Sequence, residues 1–284
     1  MPSSASWGHS TETFLWIALG KHGLQRDVGH HHQNGMLGIT YVGGPTALLE
    51  LNGVRLLTDP GFDPAGTEFR SGTYVLARTM GPALPSSELL PIDAVLLSHD
   101  HHFDNLDESG RAFLPAANSV LTTKDGARRL GGRAIGLEPG ESVTVGALTI
   151  AATPARHGPE NGDRGPVIGF ILESPNGEGA TYVSGDTVLY DRLLDIVARF
   201  DIRRALLFMG AARVAAVGPH HLTMTAQEAA ELAVHMPRAK IMPLHFEGWA
   251  HFSEGRGAIE RVFAEAGLAG RLIWGDAGKR VDLP

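Results

Sequence analysis

The stretch Ala94-Val-Leu-Leu-Ser-His-Asp-His-His-Phe-Asp-Asn-Leu-Asp107 decides the fold of this chain, because an apolar, strand-like run opens directly into three histidines and three aspartates. Imidazole and carboxylate groups together suit zinc and similar divalent ions. A turn just past a rigid strand can aim several such side chains at one point. Polar loops also collect His and Asp without any function, so the cluster alone leaves a solvated loop as an equal alternative.

Three more polar residues stand where short β-rich runs end, namely His157, Asp186 and His245. An isolated His or Asp in such a place is usually a cap or a polar residue satisfied by its neighbours. Here they follow the first cluster in the order His, Asp, His. The four sites together therefore predict one shared metal centre.

This order resembles the metallo-β-lactamase fold superfamily of metal-dependent hydrolases. Within it, the closest resemblance is to the branch of ascorbate-6-phosphate lactonase and the phospholipase D that cleaves N-acyl phosphatidylethanolamine. The run Gly38–Glu50 resembles the opening hairpin of the family, and Leu56-Leu-Thr-Asp59-Pro60 resembles its structural Asp motif. Asp59 is therefore predicted to orient a ligand rather than to bind metal.

The resemblance covers about residues 36–284 and implies an α/β fold, a four-layer αββα sandwich formed as a single domain. Residues 1–35, which include the His30–His32 trio, are predicted to be a tail or leader outside the site.

The loop departs from the family signature His-x-His-x-Asp-His. Read from the strand side, Ser98–His101 fits the first half of the signature. Read from the helix side, residues 102–107 fit the second half, with Asn105 in place of the last His. The loop is therefore one residue longer than usual, and Asp100 competes with His99 for the first ligand position. His101 is then not needed as a ligand and is expected to contact the ligand residues rather than the metal.

The resemblance implies two metal positions. The first takes the loop histidines and His157, and the second takes Asp104 and His245, with Asp186 between them. Zinc is the expected ion. A neutral amide such as Asn105 is a poorer ligand than imidazole, so the second position is expected to be empty, to exchange readily or to hold manganese. The complete set of predicted metal ligands is His99, Asp100, His102, Asp104, His157, Asp186 and His245.

The chemistry expected of such a site is hydrolysis, because bound divalent cations generate hydroxide near neutral pH. Asp104 and Asp186 are predicted to orient this hydroxide and to take up its proton. His221 matches a histidine that lines the active site in the related branch and is predicted to contact the leaving group or phosphate; a buried structural His is the alternative. The long loop 61–91 is expected to cover the pocket, with Arg70 and Arg78 among its residues as candidate anion contacts.

Composition limits the function further. The 284-residue chain carries a formal charge of −7, which argues against broad nucleic-acid binding. It has no cysteine, which excludes disulfides and thiolate ligands and fits a cytoplasmic location. No run reaches the roughly 18 apolar residues that span a bilayer. An oligomer is possible on these grounds.

The leading prediction is thus a metal-dependent hydrolase acting on a small phosphoester, lactone or ester. Two alternatives stay open. One is a nuclease on the same fold, which would need a basic face. The other is a metal-free binding protein with a degenerate site.

The secondary structure predicted from the pattern agrees with two strand-rich halves and outer helices. Helices are predicted at 189–200, 226–236 and 255–266, and Thr225-Ala-Gln-Glu228 predicts a capping box. Strands are predicted at about 37–58, 93–98, 118–122, 147–153, 167–174, 180–184, 204–209, 239–244 and 271–274.

Overall fold

The structure, a computed structural model, describes residues 35–161 and 164–284. Residues 1–34 of the predicted tail, with the His30–His32 trio, lie outside the described residues. Within the described ranges, no helix is both long enough and apolar enough to cross a membrane.

The elements alternate between strands and short helices along the chain. The strands are β1 Leu37–Gly43, β2 Thr46–Leu51, β3 Val54–Thr58, β4 Glu68–Ser71, β5 Tyr74–Ala77, β6 Ala94–Leu96, β7 Val120–Thr123, β8 Ala134–Leu137, β9 Ser142–Val145, β10 Leu148–Pro154, β11 Ile168–Glu173, β12 Ala180–Val183, β13 Ile202–Phe208, β14 Lys240–Leu244 and β15 Arg280–Leu283. The helices are α1 Glu108–Phe113, α2 Lys124–Leu130, α3 Asp191–Val197, α4 Ala226–Val234 and α5 Arg256–Glu265, with short 3-10 turns at Ser86–Leu89, Leu114–Ala116 and Ala269–Arg271.

Two sheets form the centre of the molecule. One has seven strands in the order β15-β1-β2-β3-β6-β7-β8, and the other has six in the order β14-β13-β12-β11-β10-β9. The strands β4 and β5 form a separate antiparallel hairpin.

The alternation of apolar residues along the strands creates three apolar layers. In β13, Leu206 and Phe208 pack between the two sheets, whereas Ala205 and Leu207 pack under α3, α4 and α5. Each such side chain stabilises the fold by roughly 1.5–3 kcal/mol when fully buried. On the far side, the seven-stranded sheet packs against Phe113 at the end of α1. The predicted αββα sandwich is confirmed.

The predicted elements are mostly present, but the prediction missed β4, β5, β8, β9, α1 and α2 and was wrong at the end of the chain. The capping box at Thr225 is present, with Glu228 bonded back to the Thr225 backbone. The strand predicted at 271–274 is wrong, because this segment follows a 3-10 turn and makes only one bridge, between Leu272 and Ile241. The last strand is β15 instead. It is less apolar, since it lies at the edge of its sheet.

The strands bring the predicted ligands to one region. The loop 98–107 follows β6, His157 follows β10, Asp186 follows β12 and His245 follows β14. Strands β12, β13 and β14 are parallel, and β10 runs the same way as β12 because β11 is antiparallel to both. Their carboxyl ends therefore share one edge of the six-stranded sheet.

The two sheets approach each other closely at this edge. The Ile168 N–H donates to the Ser98 carbonyl at 3.1 Å, which joins the loop of one sheet to β11 of the other. Gly185 lies here with φ of +60°, and a Cβ at this position would come within 2.6 Å of the Ile168 oxygen. Glycine is required at residue 185 for both reasons.

Candidate metal centre

The start of the loop 98–107, which we call the metal loop, is held by Asp59. Its Oδ1 accepts the Ser98 backbone N–H at 2.6 Å, and its Oδ2 accepts the Ser98 hydroxyl at 2.6 Å and the Asn105 amide at 3.0 Å. Burial raises the pKa of Asp59 to about 7, although the hydrogen bonds from Ser98 and Asn105 act in the opposite direction. With both oxygens occupied, Asp59 positions the metal loop from behind.

The other end of the metal loop is held by Asp107. This carboxylate caps α1 through the Gly110 N–H at 2.7 Å and pairs with Arg78 at 2.5 Å, where both side chains are buried. Arg78 also donates to the Gly61 and Met80 carbonyls. The sequence-based expectation that Arg78 meets a substrate anion is therefore wrong, because its guanidinium is enclosed by the protein. Arg70, in contrast, is exposed beside Glu68.

Three histidines converge in the first half of the centre. The His99 Nε2 lies 2.9 Å and the His157 Nε2 lies 3.1 Å from the Nδ1 of His102. The His157 Nδ1 must donate to the Leu222 carbonyl at 2.8 Å, because a carbonyl can only accept. The Ser98 hydroxyl gives its proton to Asp59 and therefore accepts from the His99 Nδ1.

These outer hydrogen bonds fix the tautomers of His99 and His157. When His99 and His157 are neutral, the Nε2 of each ring carries a lone pair directed at the His102 Nδ1. That nitrogen has at most one proton, so it can donate to only one of them. Burial, followed by repulsion from His157, lowers the pKa of His102 to about 3. Burial and the neighbouring rings also lower the pKa of His99. The lowered pKa values favour the neutral form of His99 and His102, and ring nitrogens of all three histidines converge on a common point, as ligands of a divalent cation must.

Two carboxylates and one histidine form the second half. The His245 Nε2 lies 3.4 Å from Asp186 Oδ1 and 3.5 Å from Asp104 Oδ2. Burial alone would lower the pKa of His245, but the charges of Asp186 and Asp104 outweigh it and raise this pKa to about 10. Asp186 also reaches the first half, since its Oδ2 lies 3.6 Å from the His157 Nε2. Of Asp186, Asp104 and His245, only Asp186 belongs to two groups of converging ligands. One group includes His99 and His157, and the other includes Asp104 and His245.

The donor set fits divalent cations. Both oxygens of Asp186 and both ring nitrogens of His245 are buried without a hydrogen-bond partner, because their mutual distances exceed hydrogen-bond length. Leaving such groups unsatisfied costs several kcal/mol in total, at about 1–3 kcal/mol or more for each. A cation between Asp186 and His245 would satisfy the carboxylate oxygens and the His245 Nε2. The backbone of His245 has a φ of +54°, a region that non-glycine residues rarely occupy and that is found at functional sites.

Asn105 stands where the family signature has histidine. Its amide nitrogen donates to Asp59, and its Oδ1 is buried without a hydrogen-bond partner. The place beside Asp104 is taken by His251, whose Nε2 lies 3.1 Å from Asp104 Oδ2. The sequence predicts His251, with Trp249 and Phe252, as a wall of the pocket or as part of an aromatic core, and not as a ligand, because no apolar run leads into it. The signal that could have found it is its position six residues after His245.

Asp100 is occupied by another partner. Both of its oxygens accept hydrogen bonds from Arg129 of α2, and its backbone carbonyl accepts one from Arg111. The described residues form a third set of converging ligands, His99, His101 and His102, and Asp100 belongs to none of the three sets. The geometry thus favours His99 over Asp100 at the first position, and the prediction of Asp100 as a ligand is not supported.

Two further histidines border the centre. His101 donates through its Nε2 to the Arg164 carbonyl, 2.9 Å away, and its ring also approaches His99. His221 is held by Glu228 at 3.0 Å and is partly exposed. Its neighbour Leu222 supplies the carbonyl that orients His157. The predicted contact of His221 with substrate stays a prediction.

The predicted covering loop 61–91 contains the β4–β5 hairpin, which packs beside the metal loop. Phe69 of the hairpin stacks on Phe103 with ring centroids 4.8 Å apart and contacts Trp249 at 5.6 Å. This apolar cluster, which also includes Phe252, lies against segments that carry Asp104 and His251. The hairpin therefore forms an apolar wall next to the centre.

A separate cavity of about 380 Å³ lies between β10 and α3 and is lined in part by Ala151, Arg192 and Phe200. Size alone would make such a cavity the first candidate for a binding site. None of the predicted ligands lines it. We assign the chemistry to the converging ligands, because they carry the unsatisfied buried groups.

Comparisons with known proteins identify the family of the chain. Residues 54–246 match the family described as the beta-lactamase superfamily domain. A protein of Opitutus terrae named "UPF0173 metal-dependent hydrolase" is 31% identical over 218 residues, which cover 73% of this chain and 84% of that protein.

Solved structures show the same fold. An isothiocyanate hydrolase from Delia radicum gut bacteria superposes with a TM-score of 0.75 at 22% identity and covers 86% of this chain and 98% of its own. A possible metal-dependent hydrolase from Veillonella parvula gives a TM-score of 0.75 at 19% identity, with 87% and 99% covered. The resemblance to the lactonase and phospholipase D branch is not tested by these matches and stays a prediction. The chain therefore belongs to the beta-lactamase superfamily and, within it, to the UPF0173 family of metal-dependent hydrolases.

Proposed function

We propose that this chain is a hydrolase with two adjacent divalent metal positions, zinc being the preferred ion, and that it acts on a small phosphoester, lactone or ester. The observation that carries the proposal is Asp186. Its two buried oxygens have no hydrogen-bond partner, and they face a histidine of each half of the centre, His157 and His245. A carboxylate in this position is suited to bridge two cations.

In this proposal the first position is held by His99, His102 and His157, and the second by Asp104 and His245, with Asp186 shared. Cations bound there supply Lewis-acid chemistry, since they lower the pKa of water toward neutrality and polarise a carbonyl or phosphoryl oxygen. Manganese remains an alternative for the second position. Asp104 and Asp186 contribute carboxylate oxygens there, and these are harder ligands than the imidazoles of the first position.

The protein residues supply orientation and proton transfer. Burial disfavours the charged form of Asp104, but the neighbouring imidazoles of His245 and His251 outweigh it and hold the pKa of Asp104 well below its usual range. Asp104 is therefore a carboxylate near neutral pH, and its proposed role is to orient a water molecule and take up its proton. His221, steadied by Glu228, is proposed to contact the leaving group or a substrate phosphate.

The substrate is proposed to be small and partly apolar. The wall formed by Phe69, Phe103 and Trp249 stands beside the metal loop, and Arg70 is an exposed positive group on the same hairpin. The formal charge of −7 gives no support to the nuclease alternative.

The proposal is tested by assaying a phosphodiester, a phosphotriester, a lactone, an aryl ester and an isothiocyanate with metal-free protein reconstituted with zinc or manganese. The isothiocyanate is included because a protein of the same fold is named for that substrate. We expect metal-dependent turnover of a phosphoester, the lactone or the aryl ester. Turnover of the isothiocyanate alone, or of none of the five with either ion, would contradict the proposal.

Asp104→Asn and Asp100→Asn provide a matched pair within the metal loop. Both replace a loop carboxylate by an amide, but only Asp104 faces His245, whereas Asp100 faces Arg129. We expect Asp104→Asn to abolish turnover and Asp100→Asn to retain most of it. The reverse order would assign the ligand role to Asp100.

A further inference from the structure

We infer that His251 is a ligand of the second metal and replaces the histidine that the family signature has at residue 105. This inference rests on the proposed function, because it requires a second metal position. It extends that position to four protein ligands, which are Asp104, Asp186, His245 and His251.

The first argument is the position of Asn105. Its side chain is fully buried and its amide nitrogen donates to Asp59 at 3.0 Å. The amide nitrogen has no lone pair to offer a cation. The Asn105 Oδ1 is buried without a hydrogen-bond partner, but a neutral amide oxygen is a poorer zinc ligand than imidazole. Residue 105 thus supports the metal loop and supplies no imidazole, which leaves the second position one imidazole short of the signature.

The second argument is where His251 lies. Its Nε2 is 3.1 Å from Asp104 Oδ2, the same oxygen that lies 3.5 Å from the His245 Nε2. Ligand atoms that share one cation are expected about 3–3.5 Å apart when each lies about 2.0–2.2 Å from it. The His251 side chain is only 9% exposed, and its Nδ1 is buried without a partner.

The third argument is that the backbone around His251 is fixed. The Ala250 N–H donates to the Ala77 carbonyl at 3.0 Å, and the His251 carbonyl accepts from Arg213 at 2.8 Å. Trp249 forms a bridge with Arg78 and packs against Phe69. The imidazole is therefore carried by an ordered segment on both sides.

A hydrogen bond from His251 to Asp104 without any metal contact is the competing role. The two roles differ for His251→Gln, because glutamine retains an N–H donor of similar reach but is a poor ligand for zinc. A ligand role requires both His251→Ala and His251→Gln to lose the second metal. A hydrogen-bonding role requires His251→Gln to keep it.

The experiment counts metal ions per chain by plasma mass spectrometry after reconstitution with zinc, and measures the second binding constant by chelator competition. Cobalt reconstitution adds a readout that is independent of activity, because its visible spectrum reports the number of nitrogen and oxygen ligands. The exposed His235 provides the control, His235→Ala, which removes a histidine far from the metal loop in sequence.

We expect two ions in the wild-type chain and in His235→Ala, and one tightly held ion in both His251 variants. The second constant should weaken about 100-fold or more, beyond the roughly 10–100-fold cost of losing a group that only orients a ligand. Far-UV circular dichroism of the metal-free variants shows that they fold.

Two ions bound with unchanged affinity in either His251 variant would overturn the inference while leaving the proposed function intact. One ion in the wild-type chain would overturn both the inference and the second metal position of the proposed function. No ion in the wild-type chain would overturn the proposed function itself.

Discussion

The two halves of the candidate metal centre are built differently. In the first, His99 and His157 are each held from behind, by the Ser98 hydroxyl and the Leu222 carbonyl. In the second, the ring of His245 has no hydrogen-bond partner at either nitrogen. Groups behind a ligand fix its orientation and raise its basicity. We therefore expect the first position to bind its ion more tightly and the second to depend more on charge.

Asp186 joins the halves, and its removal should have the largest effect. Asp186→Ala deletes the carboxylate that faces both His157 and His245. We expect it to lower kcat/KM by about 1000-fold or more, because Lewis-acid stabilisation of a transition state is worth several kcal/mol. Steady-state kinetics and metal counting check this. Asp276→Ala, on an exposed turn, is the control. Near wild-type turnover in Asp186→Ala would remove Asp186 from the centre.

Asp107 holds the end of the metal loop, and its substitution tests how much this contact contributes to the stability of the fold. Asp107→Ala leaves the Arg78 guanidinium buried without its partner, so we expect the free energy of unfolding to fall by about 3–5 kcal/mol. Urea titration measures the change. Asp63→Ala is the comparison, because Asp63 caps the same helix from an exposed position. Its cost should be about 1 kcal/mol. Equal costs would show that the buried pair does not hold the loop.

Ser98→Ala tests the hydrogen bonds that orient His99 in the first half, and its expected effect is smaller than that of Asp107→Ala. This change removes the acceptor of the His99 Nδ1 proton and one hydrogen bond to Asp59. We expect the first metal to bind roughly 10–100-fold more weakly, as for other groups that orient a ligand. Chelator competition gives the constant, and Ser109→Ala, an exposed serine beyond the loop, should leave it unchanged. Unchanged first-site affinity in Ser98→Ala would end the distinction between the halves.

The smallest effect is expected at Glu228. This residue holds His221, the neighbour of Leu222, and the Leu222 carbonyl orients His157 of the first half. Burial tends to raise the pKa of Glu228, but hydrogen bonds from His221 and Thr225 outweigh it and lower this pKa from its usual 4.5. The charged carboxylate therefore stabilises the fold above about pH 4.5, and the contribution is lost as the pH falls through the lower folded pKa.

Glu228→Gln should cost about 1 kcal/mol near pH 7, as the loss of a charged capping interaction does. The difference from wild type should shrink as the pH falls below about 4.5. Urea unfolding at several pH values measures this trend, with Glu231→Gln on the exposed face of the same helix as control. A difference that is constant with pH would show that the charge of Glu228 does not matter.

The sequence predicted the region of the centre but not all of its members. His157, Asp186 and His245 could be recognised because each ends a buried strand, and parallel strands bring their carboxyl ends together. The choice between His99 and Asp100 could not be made from the loop alone. It depends on Arg129, a residue of α2 that reaches back to Asp100.

Two other residues show the same limit. The Gly/Pro-rich loop around Arg78 predicts an exposed charge, but Arg78 forms a buried ion pair with Asp107, which lies in a distant part of the chain. His251 follows a turn rather than a strand, so no hydrophobic pattern marks it. Contacts of this kind depend on tertiary packing, which periodicity does not encode.

The measurement that tests the account most directly is the number of metal ions bound per chain after metal-free protein is dialysed to equilibrium against zinc. The account predicts two ions per chain, the second released first on chelator titration. Absence of stoichiometric zinc, with none restored by manganese, would contradict the claim that these four loops form a metal centre.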